Sequence, residues 1–184
     1  MKINNILMAL AATGLVTLAA CNSDADIEGE NAGEVSSDTL AAVLQRSDDL
    51  TVVSDILGTA GLQGVFDGNA PYTIFAPTDA AFSALDIVLD EDEARAAHVA
   101  IVREHIVPGF LSRADIEAAI GRSDGSVEMQ TMGTNTLAFS MDGDDLVVTS
   151  SDGTQAEVSG DVMSGANGSV IPVDTVLKAM DEPR

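Results

Sequence analysis

The segment from Tyr72 to Phe82, YTIFAPTDAAF, constrains the fold more than any other part of the chain. Its first four residues are aromatic or β-branched and fit a pleated, half-buried surface, which predicts a strand. Pro77 has no amide hydrogen to donate and disfavours helical geometry at the residue before it, so the strand should end there. Thr78 can cap a following helix, and Asp79 places negative charge at the positive end of the helix dipole. The segment therefore predicts a strand that passes directly into a short helix.

Two later segments follow this one at domain-scale spacing. They are residues 104–116, EHIVPGFLSRADI, and residues 167–177, NGSVIPVDTVL. In order, spacing and identity the three segments resemble the fasciclin domain, an extracytoplasmic adhesion module. The first resembles the family hallmark T-hydrophobe-F-A-P-T-D-x-A-F, the second its Y-H-V-V-P-G, and the third its closing N-G-V-I-H-V-I-D-x-V-L. The chain departs from the family pattern at Glu104, where the family has Tyr, and at Ile171, where it has His.

The resemblance implies an α+β protein with a compact fasciclin-like fold, a twisted antiparallel β-sandwich or wedge that carries several short helices. It implies a single domain over residues 38–180, followed by a tail at residues 181–184. The positions that match the family motifs are expected to hold this fold together. These positions are Thr73, Phe75, Ala76, Pro77, Thr78, Asp79, Phe82, His105, Pro108, Gly109, Asn167, Gly168, Asp174 and Leu177.

The helical patterns come before the strand patterns along the chain, which also favours an α+β fold. Residues 38–46 and 50–62 predict two short helices, the second with apolar residues at intervals of three and four. Ser112 and Asp115 form an S-x-x-D capping pattern that begins another helix, and Gly121 can close it.

Beyond this helix the apolar period changes to two, which predicts strands. Residues 142–145 and 152–153 contain Asp-Gly turn sequences that separate neighbouring strands. Residues 170–173 predict a last strand. The second half of the domain should therefore be mainly sheet.

Five side chains have specific expected positions. Phe75 and Phe82 flank the strand-to-helix joint, so we expect both rings in one core. We expect His105 to be a buried hydrogen-bonding residue and His98 to lie on a helix surface. Phe110 follows Pro-Gly and can either fill the core or anchor a partner; we favour the core and keep partner binding as the alternative.

The N-terminal residues read as an export signal. Lys2 supplies positive charge, and residues 6–18 form an uncharged run that is too short to span a bilayer. Residues 18–21, Leu-Ala-Ala-Cys, look like a bacterial lipobox. This resemblance implies a lipoprotein signal peptide at residues 1–20, lipidation of Cys21 and a flexible acidic tether over residues 21–37. The protein is then exported and lipid-anchored to the cell envelope, and Asn22 in place of Asp favours the outer membrane.

The chain is strongly acidic, with 30 Asp and Glu against 8 Lys and Arg and a formal net charge of −22. Such a charge repels nucleic acid, so we expect no nucleic-acid partner. The absence of Trp also leaves no obvious stacking platform for bases. Two interpretations of the acidity stay open: solubility, or a surface that attracts cations or a basic partner.

Metal and redox chemistry have little support in the sequence. A single cysteine excludes an intramolecular disulfide and a CxxC pair. On one helix His98 and His105 would be about 10.5 Å apart, too far to share a metal. The Asp142–Asp145 cluster lacks the longer calcium-binding loop, which favours a solvated turn. Met129 and Met132 would point to opposite faces of a strand. We therefore expect no metal site and no cofactor.

Catalytic signatures are missing as well. The sequence has no GxSxG elbow, no HExxH pair and no phosphate-binding glycine loop, so we predict no catalytic residues. The fasciclin resemblance instead implies a non-enzymatic, monomeric adhesion module of the cell envelope that binds an unknown protein or matrix partner. Exposed loops at residues 69–71, 108–110 and 142–145 are the candidates for contact. The alternatives are an acidic, calcium-responsive surface protein and an unrecognised hydrolase.

Overall fold

A computed structural model describes residues 37–85 and 91–177, apart from the side chains of residues 91–94. The predicted signal peptide, Cys21, nearly all of the predicted tether and residues 178–184 lie outside the described residues. The elements described are α1 (Leu40–Gln45), α2 (Thr51–Thr59), α3 (Gln63–Phe66), β1 (Tyr72–Pro77), α4 (Asp79–Ser83), α5 (Glu91–Glu104), β2 (Ile106–Pro108), α6 (Arg113–Arg122), β3 (Ser126–Gln130), β4 (Thr136–Asp142), β5 (Asp145–Ser150), β6 (Gln155–Glu157), β7 (Met163–Gly165) and β8 (Gly168–Val173).

The strands form two four-stranded sheets, which confirms the α+β class. The first sheet has the order β2-β1-β8-β7, and the second has the order β3-β4-β5-β6. All strand pairs of the second sheet are antiparallel. In the first sheet β1 and β8 pair in parallel, from Tyr72 opposite Gly168 to Pro77 opposite Val173. The other strand pairs described are antiparallel, as expected, and the pairing of β1 with β8 is the exception.

The long connection between β1 and β8 explains the parallel pairing. Parallel neighbours need a crossover rather than a hairpin, and here the second sheet and two long helices, α5 and α6, lie between the two strands in the chain. The pairing places the first and third motif segments side by side. The second motif segment joins them through β2, which pairs antiparallel to β1.

The first sheet is buried on both faces. Successive strand residues point to opposite faces, and Ile74 faces a core shared with α1, α2 and α3. Phe75 and Ile171 face a second core, which also contains Phe139 of the second sheet. Because both faces are covered, β8 is buried along its whole length and β1 is buried after Tyr72. This double burial accounts for the apolar runs in both strands.

Phe75 and Phe82 do not share one core, so that prediction is wrong. Phe75 is fully buried and its ring centroid lies 4.9 Å from that of Phe139. Phe82 is half-buried and packs instead against the first core and against a small cluster of Ala81, Ile101 and Val176, because α4 leaves the sheet at Thr78 and contacts α2. The Phe82 ring meets the ring of His98 edge-on, with centroids 6.5 Å apart. His98 is thus half-buried and does not lie freely on the helix surface.

The helix boundaries differ from the predicted ones at two glycines. The helix predicted over residues 50–62 is α2, which ends earlier, at Thr59, before Gly61 adopts φ +68°. The short helix α3 begins after the predicted range and was not predicted. Ser112 and Asp115 form the predicted reciprocal capping box at the start of α6. Gly121 lies inside α6 and does not end it, since the helix continues to Arg122. Within residues 37–85 and 91–177, no helix has the length and apolarity needed to cross a bilayer.

Candidate functional site

Two buried hydroxyl groups form hydrogen bonds with the backbone of the loop between β2 and α6. The Thr73 Oγ1 donates to the Gly109 carbonyl oxygen at 2.9 Å and accepts from the Leu111 amide at 2.9 Å. The Ser169 Oγ donates to the Leu111 carbonyl oxygen at 2.5 Å. On the other side, the Gly109 amide donates to the Pro71 carbonyl oxygen at 2.9 Å. Both hydroxyl-bearing residues are fully buried, so the loop is held in one conformation.

Phe110 lies at the exposed tip of this loop. Its side chain is 41% exposed, and among the residues that the structure describes it is the one large hydrophobic side chain in the exposed class. The bonds to Gly109 and Leu111 fix the backbone on both sides, while Leu111 packs against the second core. Neighbours in an extended chain point in opposite directions, so Phe110 must point outward. The preferred prediction that Phe110 fills the core is wrong.

Hydrogen bonds connect the three loops that the sequence nominated for partner contact. Residues 69–71 meet residues 108–110 through the bond from the Gly109 amide to Pro71. At the start of α6, the Arg113 Nη2 donates to the Asp144 carbonyl oxygen at 2.7 Å. This bond connects residues 142–145 to the start of α6. We call residues 69–71, 108–113 and 142–145 together the loop surface. Pro108 and Gly109 are part of this surface because they lie within residues 108–113.

The Asn167-Gly168 pair holds the first sheet against the helices. The Asn167 side chain accepts from the Leu40 amide at 2.9 Å and donates to the carbonyl oxygens of Phe66 and Gly68, at 2.6 and 2.7 Å. A Cβ atom at position 168 would lie 1.8 Å from the backbone oxygen of Tyr72, so only glycine fits. Both motif residues are therefore structural.

Asp79 and Asp174 each join two elements. The Asp79 carboxylate accepts from the Thr51 hydroxyl at 2.6 Å and the Val52 amide at 2.9 Å, and so caps α2. Burial opposes ionisation of Asp79, but these bonds outweigh it and hold its pKa below the ordinary value. Asp174 Oδ1 accepts from the Glu157 amide at 2.8 Å and attaches the end of β8 to β6.

Thr78 caps its own helix, as predicted. Its Oγ1 accepts from the Ala81 amide at 3.2 Å, which satisfies one of the free donors in the first turn of α4. Ala76 and Pro77 end β1 inside the protein, where both are buried. The first motif segment is therefore a strand-to-helix joint in which Thr73, Thr78 and Asp79 all form hydrogen bonds within the fold.

His105 is buried and fully hydrogen-bonded, which confirms its predicted role. Nδ1 lies 2.8 Å from the Ile101 carbonyl oxygen and must carry the proton, because Nε2 accepts from the Leu177 amide at 2.9 Å. Burial lowers the pKa of His105 to about 4, so the ring is neutral near pH 7. With both nitrogens occupied, the ring has no free lone pair for a metal or a substrate proton.

Glu104 has a structural role that the sequence analysis did not predict. Its carboxylate accepts from the Thr131 hydroxyl at 2.7 Å and from the amides of Thr134 and Asn135, at 2.8 and 3.2 Å. Burial would raise the pKa of Glu104, but these hydrogen bonds hold it below the ordinary value. A Cβ at Gly133 would come within 2.1 Å of the carboxylate. The signal in the sequence that could have indicated this role is that Glu104 stands where the family has Tyr.

The remaining candidate chemistry is not assembled in the described part of the chain. There, no three His, Cys, Asp or Glu side chains are close enough together to hold a metal ion. Met129 packs against the second core and Met132 against the first, so the two sulfurs do not form a pair. The motif side chains described above serve the fold, and Phe110 is the apolar group presented to solvent.

Comparison with known proteins gives one family and one fold. A family model described as the fasciclin domain matches residues 48–179. Among solved structures, the chain is similar to a FAS1 domain pair from the insect cell adhesion molecule fasciclin I, with a TM-score of 0.63 and 15% sequence identity. The match covers 78% of this chain and 51% of that one, so this chain spans about half the length of that structure. At this identity the likeness concerns the fold alone. The search of curated proteins gave no significant match.

Proposed function

Because the chain belongs to the fasciclin domain family, we propose that it is a non-enzymatic adhesion module tethered to the bacterial cell envelope. Its partner is a protein or a matrix component, and contact is made by the loop surface. The observation that carries the proposal is the exposed Phe110 ring on a loop that buried hydroxyls hold rigidly.

The Phe110 loop has the physical properties of a binding anchor. Large aromatic side chains supply much of the free energy at protein interfaces when they enter a pocket of the partner. A loop that is already ordered before binding loses little conformational entropy when the partner arrives. Thr73 and Ser169 provide this order, because Thr73 bonds to the backbone on both sides of the ring and Ser169 bonds to the Leu111 carbonyl oxygen on one side.

The use of the polar motif residues supports a non-enzymatic role. Catalysis by acids and bases needs a titratable group that can reach a substrate proton. In this fold His105 is buried with both ring nitrogens bonded, and the Glu104 carboxylate holds the loop at residues 131–135. These groups are committed to structure.

The tether follows from the N-terminal sequence. Lipidation of Cys21 would supply two or three acyl chains, and each buried methylene contributes about 0.8 kcal/mol, which is enough for durable attachment to a membrane. Residues 22–37 would then separate the domain from the lipid. Asn22 in place of Asp favours the outer membrane as the site of attachment.

The test is Phe110→Ala in the full chain, scored for unfolding stability and for attachment of cells or matrix. We expect attachment to fall while the midpoint of chemical denaturation falls much less than in a variant that truncates a fully buried ring, because Phe110 is 41% exposed. Thr73→Val, which removes the hydroxyl and keeps the shape, should weaken attachment by loosening the loop.

Phe66→Ala is the matched control, because Phe66 is fully buried and its truncation should lower stability. Unchanged attachment of the Phe110→Ala protein would contradict the proposed function. A large loss of stability in that variant would show that the ring serves the core.

A further inference from the structure

The hairpin tip on the loop surface carries an unfavourable charge arrangement. Asp142 and Asp145 lie directly opposite each other at the end of the β4–β5 pair, and Asp144 lies between them. All three residues are exposed, and within residues 37–85 and 91–177 no ion pair neutralises their carboxylates. Like charges at opposed positions destabilise a hairpin. The repulsion between these two carboxylates works against the hairpin, which points to a use outside the fold.

The acidic tip and Phe110 belong to one surface. Arg113 lies three residues after Phe110 and bonds to the backbone of Asp144. The Arg113 guanidinium also pairs with Glu117 at 2.6 Å, so its charge does not neutralise the tip. A standard interface covers about 800 Å² on each partner, which is wide enough to include both the ring and the tip.

An open hollow adjoins the acidic tip. Its volume is about 420 Å³, and its lining includes the acidic residues Asp142, Glu157 and Asp174 together with the apolar residues Met141 and Val147. A long cationic side chain has a matching character, with an apolar stem and a charged end. The hollow therefore fits a lysine or arginine side chain better than an acidic or a purely apolar group.

We propose that the loop surface binds a basic protein segment, with Phe110 entering an apolar pocket of the partner and cationic side chains of the partner meeting the acidic tip. This rests on the proposed adhesion function and names the class of partner. A second copy of this chain is a poorer match, since it carries the same net charge of −22 and its own acidic tip would repel these carboxylates. The surface charge speeds the encounter, while the ring slows dissociation.

The experiment measures binding of the purified full chain, in detergent micelles, to three matched synthetic peptides. The first combines arginine with leucine and tryptophan, the second replaces arginine with glutamate, and the third replaces the apolar residues with serine. We expect the first peptide to bind about tenfold or more tightly than either of the others. Association should slow as salt is added, because charges that steer the encounter are screened.

Two variants separate the contributions. Asp142→Asn with Asp145→Asn should slow association and flatten its salt dependence, and should raise the midpoint of thermal unfolding by about 1–2 °C as the repulsion is removed. Phe110→Ala should mainly speed dissociation. Asp48→Asn with Asp49→Asn is the charge-matched control, since these exposed residues lie at the opposite end of β1, where the Asp79 amide donates to the Asp49 carbonyl. The control should leave binding unchanged.

Equal binding of the glutamate peptide, or an equal loss of association in the Asp48 and Asp49 control, would overturn the inference. Tight binding of the serine peptide would also overturn it, because charge alone would then suffice. If Phe110→Ala abolishes cell attachment while the Asp142 and Asp145 variant retains it, the adhesion function stands and the basic partner is wrong. If Phe110→Ala retains attachment, the adhesion function itself fails.

Discussion

At the scale of single residues, the motif side chains direct their polar atoms at the backbone of distant segments. Asn167 bonds to residues 99 to 127 positions away, and His105 bonds to Leu177 across 72 positions. Such bonds satisfy backbone groups that would otherwise be buried without a partner, which is costly. Each side chain therefore specifies the relative position of two elements.

Asn167→Asp tests this role. The change replaces two N–H donors with an oxygen that faces the Phe66 and Gly68 carbonyls, so we expect a loss of about 3 kcal/mol in the free energy of unfolding. Asn69→Asp is the control, because Asn69 is exposed and the change in charge is identical. Its effect should stay within about 0.5 kcal/mol. A loss below about 1 kcal/mol for Asn167→Asp would contradict the structural role.

His105 gives the protein a specific pH dependence. Its pKa is about 4 in the fold and about 6.5 when unfolded. Between these values the unfolded state binds more protons, so stability is complete above pH 6.5 and falls as the pH falls towards 4. Glu104 and the other carboxyls with lowered pKa values contribute only below about pH 4.5.

The change in unfolding free energy between pH 7 and pH 5 therefore reports on the titration of His105. Urea denaturation of the wild type should show a loss of about 2 kcal/mol between these two values. His105→Gln should be less stable at pH 7 but should lose much less on acidification, because a glutamine side chain does not titrate. Equal losses in the two proteins would show that His105 is not responsible.

At the scale of elements, β1 is the centre of the fold, because it pairs with β2 and β8 and separates the two cores.

Alanine substitution of Phe75 and of Phe82 tests whether the two rings, which flank the joint after β1, pack in different regions. Phe75→Ala should cost about 3–5 kcal/mol, since the ring is fully buried against Phe139. Phe82→Ala should cost only about 1–2 kcal/mol, since the ring is half-buried. Equal losses of unfolding free energy, measured by chemical denaturation, would instead support the expectation that both rings lie in one core.

Local signals explain which elements the sequence could predict. The end of β1 at Pro77 and the capping box at Ser112 depend on neighbouring residues, and both are confirmed. The parallel pairing of β1 with β8 joins segments about ninety residues apart, and no local pattern encodes that partner. The exposure of Phe110 and the loop contacts of Glu104 likewise depend on distant groups.

At the scale of the whole molecule, the proposed function combines lipid anchoring at Cys21 with a domain that presents the Phe110 ring. The wild type should partition with membranes, and Cys21→Ser should abolish acylation and release the protein into the soluble fraction. Fractionation with a lipid label measures both effects. Accumulation of the wild type as a soluble, unacylated protein would contradict the lipobox interpretation.

The central claim is that the motif residues hold the fold while Phe110 makes the contact. Photo-crosslinking on intact cells tests it most directly, with p-benzoylphenylalanine incorporated in place of Phe110 and, as control, in place of Ser83, which is exposed on α4 beyond the other end of β1. The account predicts a discrete crosslinked product from position 110 that is missing from position 83. The absence of a product from position 110, or the same products from both positions, would contradict it.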